Sequence, residues 1–487
     1  MANSTEIKVI EPGHFRPDAH YYQKVVNAQI HPLIKFFLGL SKQQIVSRYC
    51  HLNPQADPEM LMERLCYQAK HLRWSGADLF YVTTAQGQHK IVVVEVNSCP
   101  SGQKSMPLRD DAHEAGGYEA VLRHSFLNKL KGKRMAKGEL AVIFDKNPME
   151  ASGYAATLAD LTGEKVYLIP FYQKSWDENC RYNEDKVLQF QWKGEWKSVR
   201  AAFRYVTQKP WNRIPVDCKT QIFNPVIGCL AGGRNKLVAA KAYELFNADL
   251  AGDGLKINIP HTIYDVDKME IPMIIQSLGG RGVVKIPYSN AGQGVFTITN
   301  SKELNDFMER EDSYDRYIVQ GLIGNSSWSS RSPDGELYHV GTMPNKKNHI
   351  YVADIRFMVA SGEDGFLPIC LYARKAREPL QDHLDEAADS WSMLGTNLSK
   401  KMGEDKWDSE TERLILMDTR DFNKLGIGID QLIEGYVQTV LAVTAIDKLA
   451  IQLINDKGRL KRKLFRSLNK DEAYIGELFN PWGTTSV

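Results

Sequence analysis

Glu95 and Asn97 stand two residues apart at the end of an apolar run, Ile91 to Val94, in the stretch IVVVEVNSCPSG (91–102). Side chains of an extended strand repeat every second residue, so both oxygen-bearing groups face one space. A carboxylate and a carboxamide held together suit a hard cation such as Mg²⁺, which takes one or two protein ligands and completes its octahedron with phosphate oxygens and water. The chain then turns through Pro100, Ser101 and Gly102, where backbone N–H groups can meet an anion. Taken alone, the stretch describes equally well an amphipathic strand with a polar face, so the rest of the chain must decide.

Cationic groups of suitable type lie downstream. Lys236 falls in the first turn of a helical stretch that follows a glycine turn, CLAGGRNKLVAAKAYELF (229–246). Lys285 ends a strand in GGRGVVKIPYSNAGQGVFTITN (279–300), and the small residues Ser289, Asn290, Ala291, Gly292, Gln293 and Gly294 separate it from a second strand leaving through Val295. A Walker loop or a dinucleotide fingerprint must open a helix, whereas this glycine loop joins two strands. It reads as a hairpin flap that can fold N–H groups over phosphates and exclude water.

In YVADIRFMVA (351–360) alternation sets Asp354 and Arg356 on one face, and Arg374, Lys375 and Arg377 follow in PICLYARKAREP (368–379). Cations near a strand end can neutralise a phosphoryl group, or simply be solvated. RYIVQGLIG (316–324) is an apolar strand leaving into a loop, so the backbone of Gln320, Gly321 and Leu322 is placed to pair with a purine edge. Arg73, Arg204 and Arg213 are candidate contacts for a substrate anion, with structural salt bridges an equal reading.

These groups need elements to hold them. ADLFYVTTAQGQHKIVVVEVN (77–97) is two β-rich runs around Gly87, a hairpin signature, and antiparallel pairing brings Asp78 at its start to Glu95 and Asn97 at its end. ELAVIFDK, a helical stretch, then EKVYLIPF (139–171) form a strand–helix–strand unit of the kind that builds a parallel sheet with ligand-facing loops. The first seventy residues read mostly helical.

The composition, with 43% hydrophobic and 25% charged residues over 487, suits a globular chain of two or three domains. With 61 basic against 59 acidic residues it carries no basic excess for nucleic acid. Its seven cysteines form no CxxC pair, which suits reduced thiols in the cytoplasm. The longest apolar run, YVQTVLAVTAIDKLAIQLI (436–454), contains Gln438, Asp447 and Lys448 and reads as a buried helix, so no membrane partner is expected.

In order, the pieces resemble the ATP-grasp superfamily of carboxylate–amine ligases over most of residues 70–380. On that resemblance Lys236 and Lys285 are the two nucleotide lysines, 289–294 the flap, and Gln320 to Leu322 the adenine hinge. Asp354 is the ribose or metal-side acid, and Arg356 the phosphate arginine. Asp78, Glu95, Asn97, Pro100, Gly102 and Ser105 are similar to the metal-binding ending of D-alanine–D-alanine ligases, here moved to the front. That layout resembles circularly permuted ATP-grasp proteins and eukaryotic-type glutathione synthetases. It departs from the latter at Ser289 and Asn290, where they carry a magnesium-binding glutamate, and at Gln320, where many relatives have Glu.

The resemblance implies an α/β fold with α+β elements: a circularly permuted ATP-grasp fold with a Rossmann-like pre-ATP-grasp domain and a mobile flap. The expected division is 1–135, a helical start plus the permuted metal-binding portion; 136–228, the α/β domain; and 229–487, the ATP-binding lobe with a helical end. It implies ATP and Mg²⁺, an acylphosphate whose attack by the amine passes through a tetrahedral intermediate steadied by turn N–H groups around Ser101 and Gly102, and small-molecule carboxylate and amine substrates. A homodimer is the base expectation. The alternatives are a catalytically weak ATP-binding regulatory protein and a phosphotransferase acting on a hydroxyl.

Overall fold

A computed structural model describes residues 6–110, 113–131, 135–209, 211–290, 292–384, 389–401 and 407–479. A short strand, β1 (Lys8–Ile10), precedes a series of helices, among them Lys42–Leu52, opened by a Ser41–Gln44 capping box, and Pro58–Leu65, capped by Asp57. The hairpin follows as β2 (Trp74–Thr84) and β3 (His89–Ser98), with Gly87 in the left-handed region that the turn requires. Asp78 pairs directly with Glu95 and Gly76 with Asn97, and a bulge follows Asp78.

The α/β unit comes next. β4 (Glu139–Phe144), the helix Pro148–Thr162 and β5 (Val166–Pro170) make a parallel crossover. β6 (Cys180–Tyr182) and β7 (Leu188–Trp192) lead antiparallel into β8 (Glu195–Tyr205), which lies parallel to β4, with β9 (Gln221–Phe223) parallel beyond it. β1 closes the far edge antiparallel to β5, so the extreme N-terminal strand belongs to this sheet.

A four-stranded antiparallel sheet follows, ordered β10 (Thr262–Val266), β13 (Tyr317–Gln320), β11 (Gly282–Lys285), β12 (Val295–Ile298). It has its own small core of Val266, Ile271, Ile275, Val284, Phe307 and Val319. The flap is the β11–β12 connection, as read from sequence.

Three further strands, β14 (Leu337–His339), β15 (Ala353–Gly362) and β16 (Gly365–Lys375), join the early hairpin. β15 pairs with β2 on one side and β16 on the other, all antiparallel. One sheet thus combines residues 74–98 with residues 353–375. Register lines up Glu95, Asp78, Arg356 and Tyr372 in a row across four strands, on one face. A one-residue slip would turn that whole row into the core.

The opposite face takes the helix Ile429–Leu453, whose Gly435 lies against Leu79 and Phe357. Its polar residues are fastened internally. Asp447 accepts from Tyr67 Oη and from the N–H groups of Lys70, His71 and Leu72 at 2.7–2.9 Å, and Gln438 bonds to Lys256 O and Asn258 N. Such pairing lets a charged residue sit in an apolar helix, here tying the approach to β2 onto the core. Among the described residues no helix is long and apolar enough to cross a membrane. The stretch YIGELF (474–479) lies in a helix, Glu472–Phe479.

Candidate active site

A cavity of about 1110 Å³ lies where the three sheets face one another. The mixed-origin sheet contributes Asp78, Glu95, Asn97, Asp354, Arg356 and Arg374; the four-stranded sheet contributes Lys285 and Gln320; the loops after β4 and β8 contribute Lys146, Asn147 and Lys209. Eight lysines and arginines line it against four aspartates and glutamates. That surplus suits a polyanion.

Two of the acids are already matched. Asp78 receives both Nε and Nη2 of Arg356 at 2.6 Å, and Arg374 lies 3.0 Å from the same carboxylate. Arg374 also holds Asp354 through two nitrogens. Burial alone would raise the Asp78 pKa, but Arg356 and Arg374 outweigh it and hold the carboxyl well below the usual carboxylate range. Asp78, expected as a metal ligand, and Asp354, expected as a ribose or metal-side acid, are thus each paired with arginine in this structure. Cross-strand register puts each acid opposite an arginine, so both serve to orient guanidinium groups toward the cavity.

Glu95 is the acid left open. Its side chain is 27% exposed to the cavity, 3.5 Å from Lys236 Nζ, and Asn97 donates to it at 3.1 Å. Burial pushes the Glu95 carboxyl up, and Lys236, Lys285 and Arg356 together pull it below its ordinary value. Lys285, 5% exposed at the end of β11, is pushed down to about 8, by burial first, with nearby Lys236 adding to it. Lys236 opens its helix beneath an Asn235 cap and donates from Nζ to Ser289 O at 2.7 Å. Among the described residues no three His, Cys, Asp or Glu side chains cluster as a metal site, so a cation here would rest on Glu95, Asn97 and its other ligands.

The turn after β3 differs from expectation. The N–H groups of Gly102 and Gln103 both donate to the fully buried Glu150 carboxylate, at 2.7 and 2.8 Å, so Gly102 offers no donor to a reacting oxygen. Ser101 does face the cavity. Its Oγ accepts from Asn147 at 2.6 Å; Tyr205 Oη, 3.0 Å away, gives its one hydrogen to Glu150 at 2.8 Å, so the Ser101 hydroxyl is the donor to Tyr205. Gly102 is needed for close approach: at φ +145°, an added Cβ would stand 2.1 Å from the Tyr372 ring and 2.6 Å from Met358 Cε. Gly102→Ala is expected to lower unfolding free energy by about 2 kcal/mol, measured by chemical denaturation, because buried ring and backbone must both shift.

The flap is held down. Gly292 (φ +75°) packs against Trp391, Lys285 pairs with Val295, and Ile286 N–H bonds to Gly294 O at 2.8 Å. Asn290 spans to Arg234 and to Thr207 O, each at 3.3 Å, so its amide is engaged. Ala291 lies outside the described residues. At the hinge, Gly321 N–H donates to His261 O and Leu322 N–H to Ser330 Oγ, while Gln320 Nε2 holds Thr262. Those N–H groups are spent internally, and beside them Leu322, Val283 and Phe80 form an apolar wall of the cavity.

Four substrate arginines fall elsewhere. Arg204 is buried against Asn224 O and Val206 O, and Arg213 against Asp145 and Phe171 O. Arg73 bonds Ser361 O at the far end of the sheet, and Arg377 pairs with Glu410 outside the cavity. Arg374 does line it. Sequence reading passed over Arg234, Lys146 and Lys104, all of which line the cavity. The signals were present for two of them: Arg234 sits in the glycine turn before Lys236, and Lys146 follows the C-terminal end of a parallel strand, where α/β sheets bind ligands. Burial, with Arg234 adding to it, pushes the Lys146 ammonium down to about 7.

No family model matches the chain, and no curated protein matches it. Solved structures similar to it include a RimK domain ATP-grasp protein from Sphaerobacter thermophilus, at 13% identity over 48% of this chain and 90% of that one (TM-score 0.28). A glutathione synthetase-like effector from Globodera pallida, in apo form, aligns at 10% identity over 72% and 86% (TM-score 0.36). The ATP-grasp ligase PsnB, complexed with minimal precursor, Mg and ADP, aligns at 11% over 48% and 88% (TM-score 0.26). Likeness at this level leaves activity and substrate open.

Proposed function

We propose that this chain is an ATP- and Mg²⁺-dependent carboxylate–amine ligase of ATP-grasp type, circularly permuted, joining small acids and amines through an acylphosphate. The observation that carries this reading is the meeting of Glu95 and Asn97 with Lys236, Lys285 and Arg356 in one cavity beneath a small-residue flap. Permutation is supported by the sheet in which residues 74–98 join residues 353–375. The parts are 1–135, 136–228 and 229–487, with β1 exchanged onto the second.

Lys236, Lys285 and Arg356 hold the triphosphate and follow its charge as the γ-phosphoryl group passes to a carboxylate oxygen of the acid, with ADP leaving. The amine then attacks the acyl carbon; the C–N bond forms, the C–O bond to phosphate breaks, and the ammonium loses its proton. The Ser101 hydroxyl, which accepts from Asn147 and rests on Tyr205 Oη in the free protein, turns to donate to the acyl oxygen. The flap keeps water from the acylphosphate, which would otherwise be hydrolysed. One carboxylate and one amide oxygen beside phosphate-binding cations fit Mg²⁺; Glu95 and Asn97 would hold it, and it would neutralise phosphate oxygens.

A second reading, ATP binding without turnover, draws on the engagement of Asp78 and Asp354 by arginines, which leaves Glu95 as the one open carboxylate of that sheet face. Incubation with ATP, Mg²⁺ and a pool of amino acids and small carboxylates separates the two. The ligase reading expects ADP and phosphate only when the pool is present, and none from a Glu95→Ala, Asn97→Ala variant. Tight ATP binding without turnover favours the second reading, and failure to bind ATP sinks both.

A further inference from the structure

The segment 389–399 runs between the mixed-origin sheet and the flap, and it is fastened at the sheet end. The N–H groups of Arg377 and Glu378 donate to Ser392 O at 3.1 and 3.0 Å, and that of Glu410 to Leu398 O at 2.9 Å. Arg413, 5% exposed, donates to Lys375 O at 2.7 Å, to Gly395 O at 3.4 Å and to Asn397 O. Leu394 packs with Leu322, Val352 and Ala376. Satisfied carbonyls and a buried side chain fix this strap to the end of β16.

Its other end meets the sheet that carries the flap. Ser390 gives its one hydrogen to Glu303 at 2.5 Å, so Thr297 of β12 donates to Ser390 Oγ at 2.6 Å. Next in the strap comes Trp391, with a glycine against each part of its indole. A Cβ added to Gly395 would lie 2.8 and 3.0 Å from Cε2 and Cδ2, where the two rings fuse. A Cβ added to Gly292 of the flap would lie 3.1 and 3.5 Å from Cζ2 and Cη2, on the outer edge of the larger ring. At both positions a side chain would press on the indole.

The other anchors of the flap are polar. Lys236 donates to Ser289 O at 2.7 Å, Arg234 donates to Asn290 at 3.3 Å, and Asn290 reaches Thr207 O at 3.3 Å. A phosphate oxygen is a stronger acceptor for Lys236 than a peptide carbonyl, so nucleotide competes with the shortest of these bonds. The contact of Gly292 with Trp391 uses no donor or acceptor and has no such competitor. It therefore lasts while nucleotide is bound, when water must be kept out.

We infer that Trp391 is a positioning residue for the flap: the strap holds the indole, the outer edge of the indole holds Gly292 closed, and the acylphosphate is kept for the amine. Without that seat water takes the amine's place, and the acylphosphate returns to the free acid and phosphate with ADP already released. The inference rests on the ligase reading for its acylphosphate, but the contact itself can be measured without turnover.

Trp391→Phe tests it, since the smaller ring keeps the packing against Gly395 and lacks the edge that meets Gly292. Hydrogen exchange of the intact protein, read on peptides covering 286–295, is expected to be about tenfold faster in Trp391→Phe than in wild type, with peptides of β2 and β15 unchanged. With ATP, Mg²⁺ and the pool of amino acids and small carboxylates, wild type is expected to release about one ADP for each primary amine consumed, and Trp391→Phe about three. A purely structural role would lower both rates together and leave that ratio unmoved. Flap exchange at the wild-type rate in Trp391→Phe overturns the inference. So does exchange that quickens equally in β2 and β15, which would make the ring a part of the general core. A loosened flap with an unchanged ratio overturns the role in the reaction. Wild type that binds ATP and releases no ADP with the pool fails the ligase reading, and exchange alone then decides whether Trp391 holds the flap.

Discussion

Lys285→Met is expected to weaken ATP binding about a hundredfold and to cut turnover by about 10²- to 10³-fold, as the removal of a preorganised charge-stabilising donor does elsewhere. Lys285 is held firmly, because β11 fixes it between Val295 and Ile318 and its side chain is almost fully enclosed. An enclosed ammonium cannot be replaced by a neighbour or by water. The same enclosure makes the free protein's Lys285 costly, so the Met variant should melt at or above the wild-type temperature at neutral pH. Loss of binding together with loss of stability would instead mean a folding defect.

The titration of Lys285 gives this prediction a sign in pH. Burial first, and then Lys236, depress its pKa from 10.5 to about 8. Below about pH 8 both folded and unfolded chains hold the proton, and the cost of burying the charge is fully present. Between the folded and unfolded values the folded chain has released it and the unfolded chain has not, so this residue's contribution to stability improves as pH rises. Phosphate beside Lys285 favours the charged form. ATP binding should therefore take up almost no proton at about pH 6.5 and approach one at about pH 9, read from calorimetry in two buffers of different ionisation enthalpy. Lys285→Met should show no such uptake.

Strand-borne features were legible because period and pairing are local. Asp78 opposite Glu95, the flap between two strands, and Asp354 and Arg356 on one face all follow from alternation, and the register has them so. What alternation does not tell is which partner a charge meets. Asp78 and Asp354 were read as facing a ligand, yet each lies opposite an arginine contributed by residues more than 270 positions from Asp78 or by the next strand. The N–H of Gly102 was read as a free donor, and a buried carboxylate 48 residues later takes it. Arg204 and Arg213 were read equally as substrate contacts and as structural partners, since arginine type alone does not choose between them. Here backbone carbonyls at strand and loop ends satisfy them. Lys104 carried no signal at all, since its place on the cavity wall beside the Tyr22 ring is a property of the folded chain.

Asp78→Ala is expected to cost about 3–5 kcal/mol of unfolding free energy in metal-free protein, measured by urea denaturation at neutral pH, because it strands two buried guanidinium groups on the single carboxylate of Asp354. The size of the effect discriminates between two roles for this acid. A carboxylate held for a cation would stand beside Glu95 in mutual repulsion, and deleting it would relieve the free protein. A carboxylate that anchors Arg356 and Arg374 cannot be deleted without exposing their charge to each other. Adding Arg356→Met to Asp78→Ala should recover part of the loss, since the second substitution removes one of the stranded charges; a double-mutant cycle would then give a coupling of about 2 kcal/mol or more. Strict additivity, or a more stable Asp78→Ala protein, would return Asp78 to the metal. Acid should act in the same direction as the substitution: the pair's contribution is present above the ordinary aspartate range and is lost as pH falls toward the depressed Asp78 value.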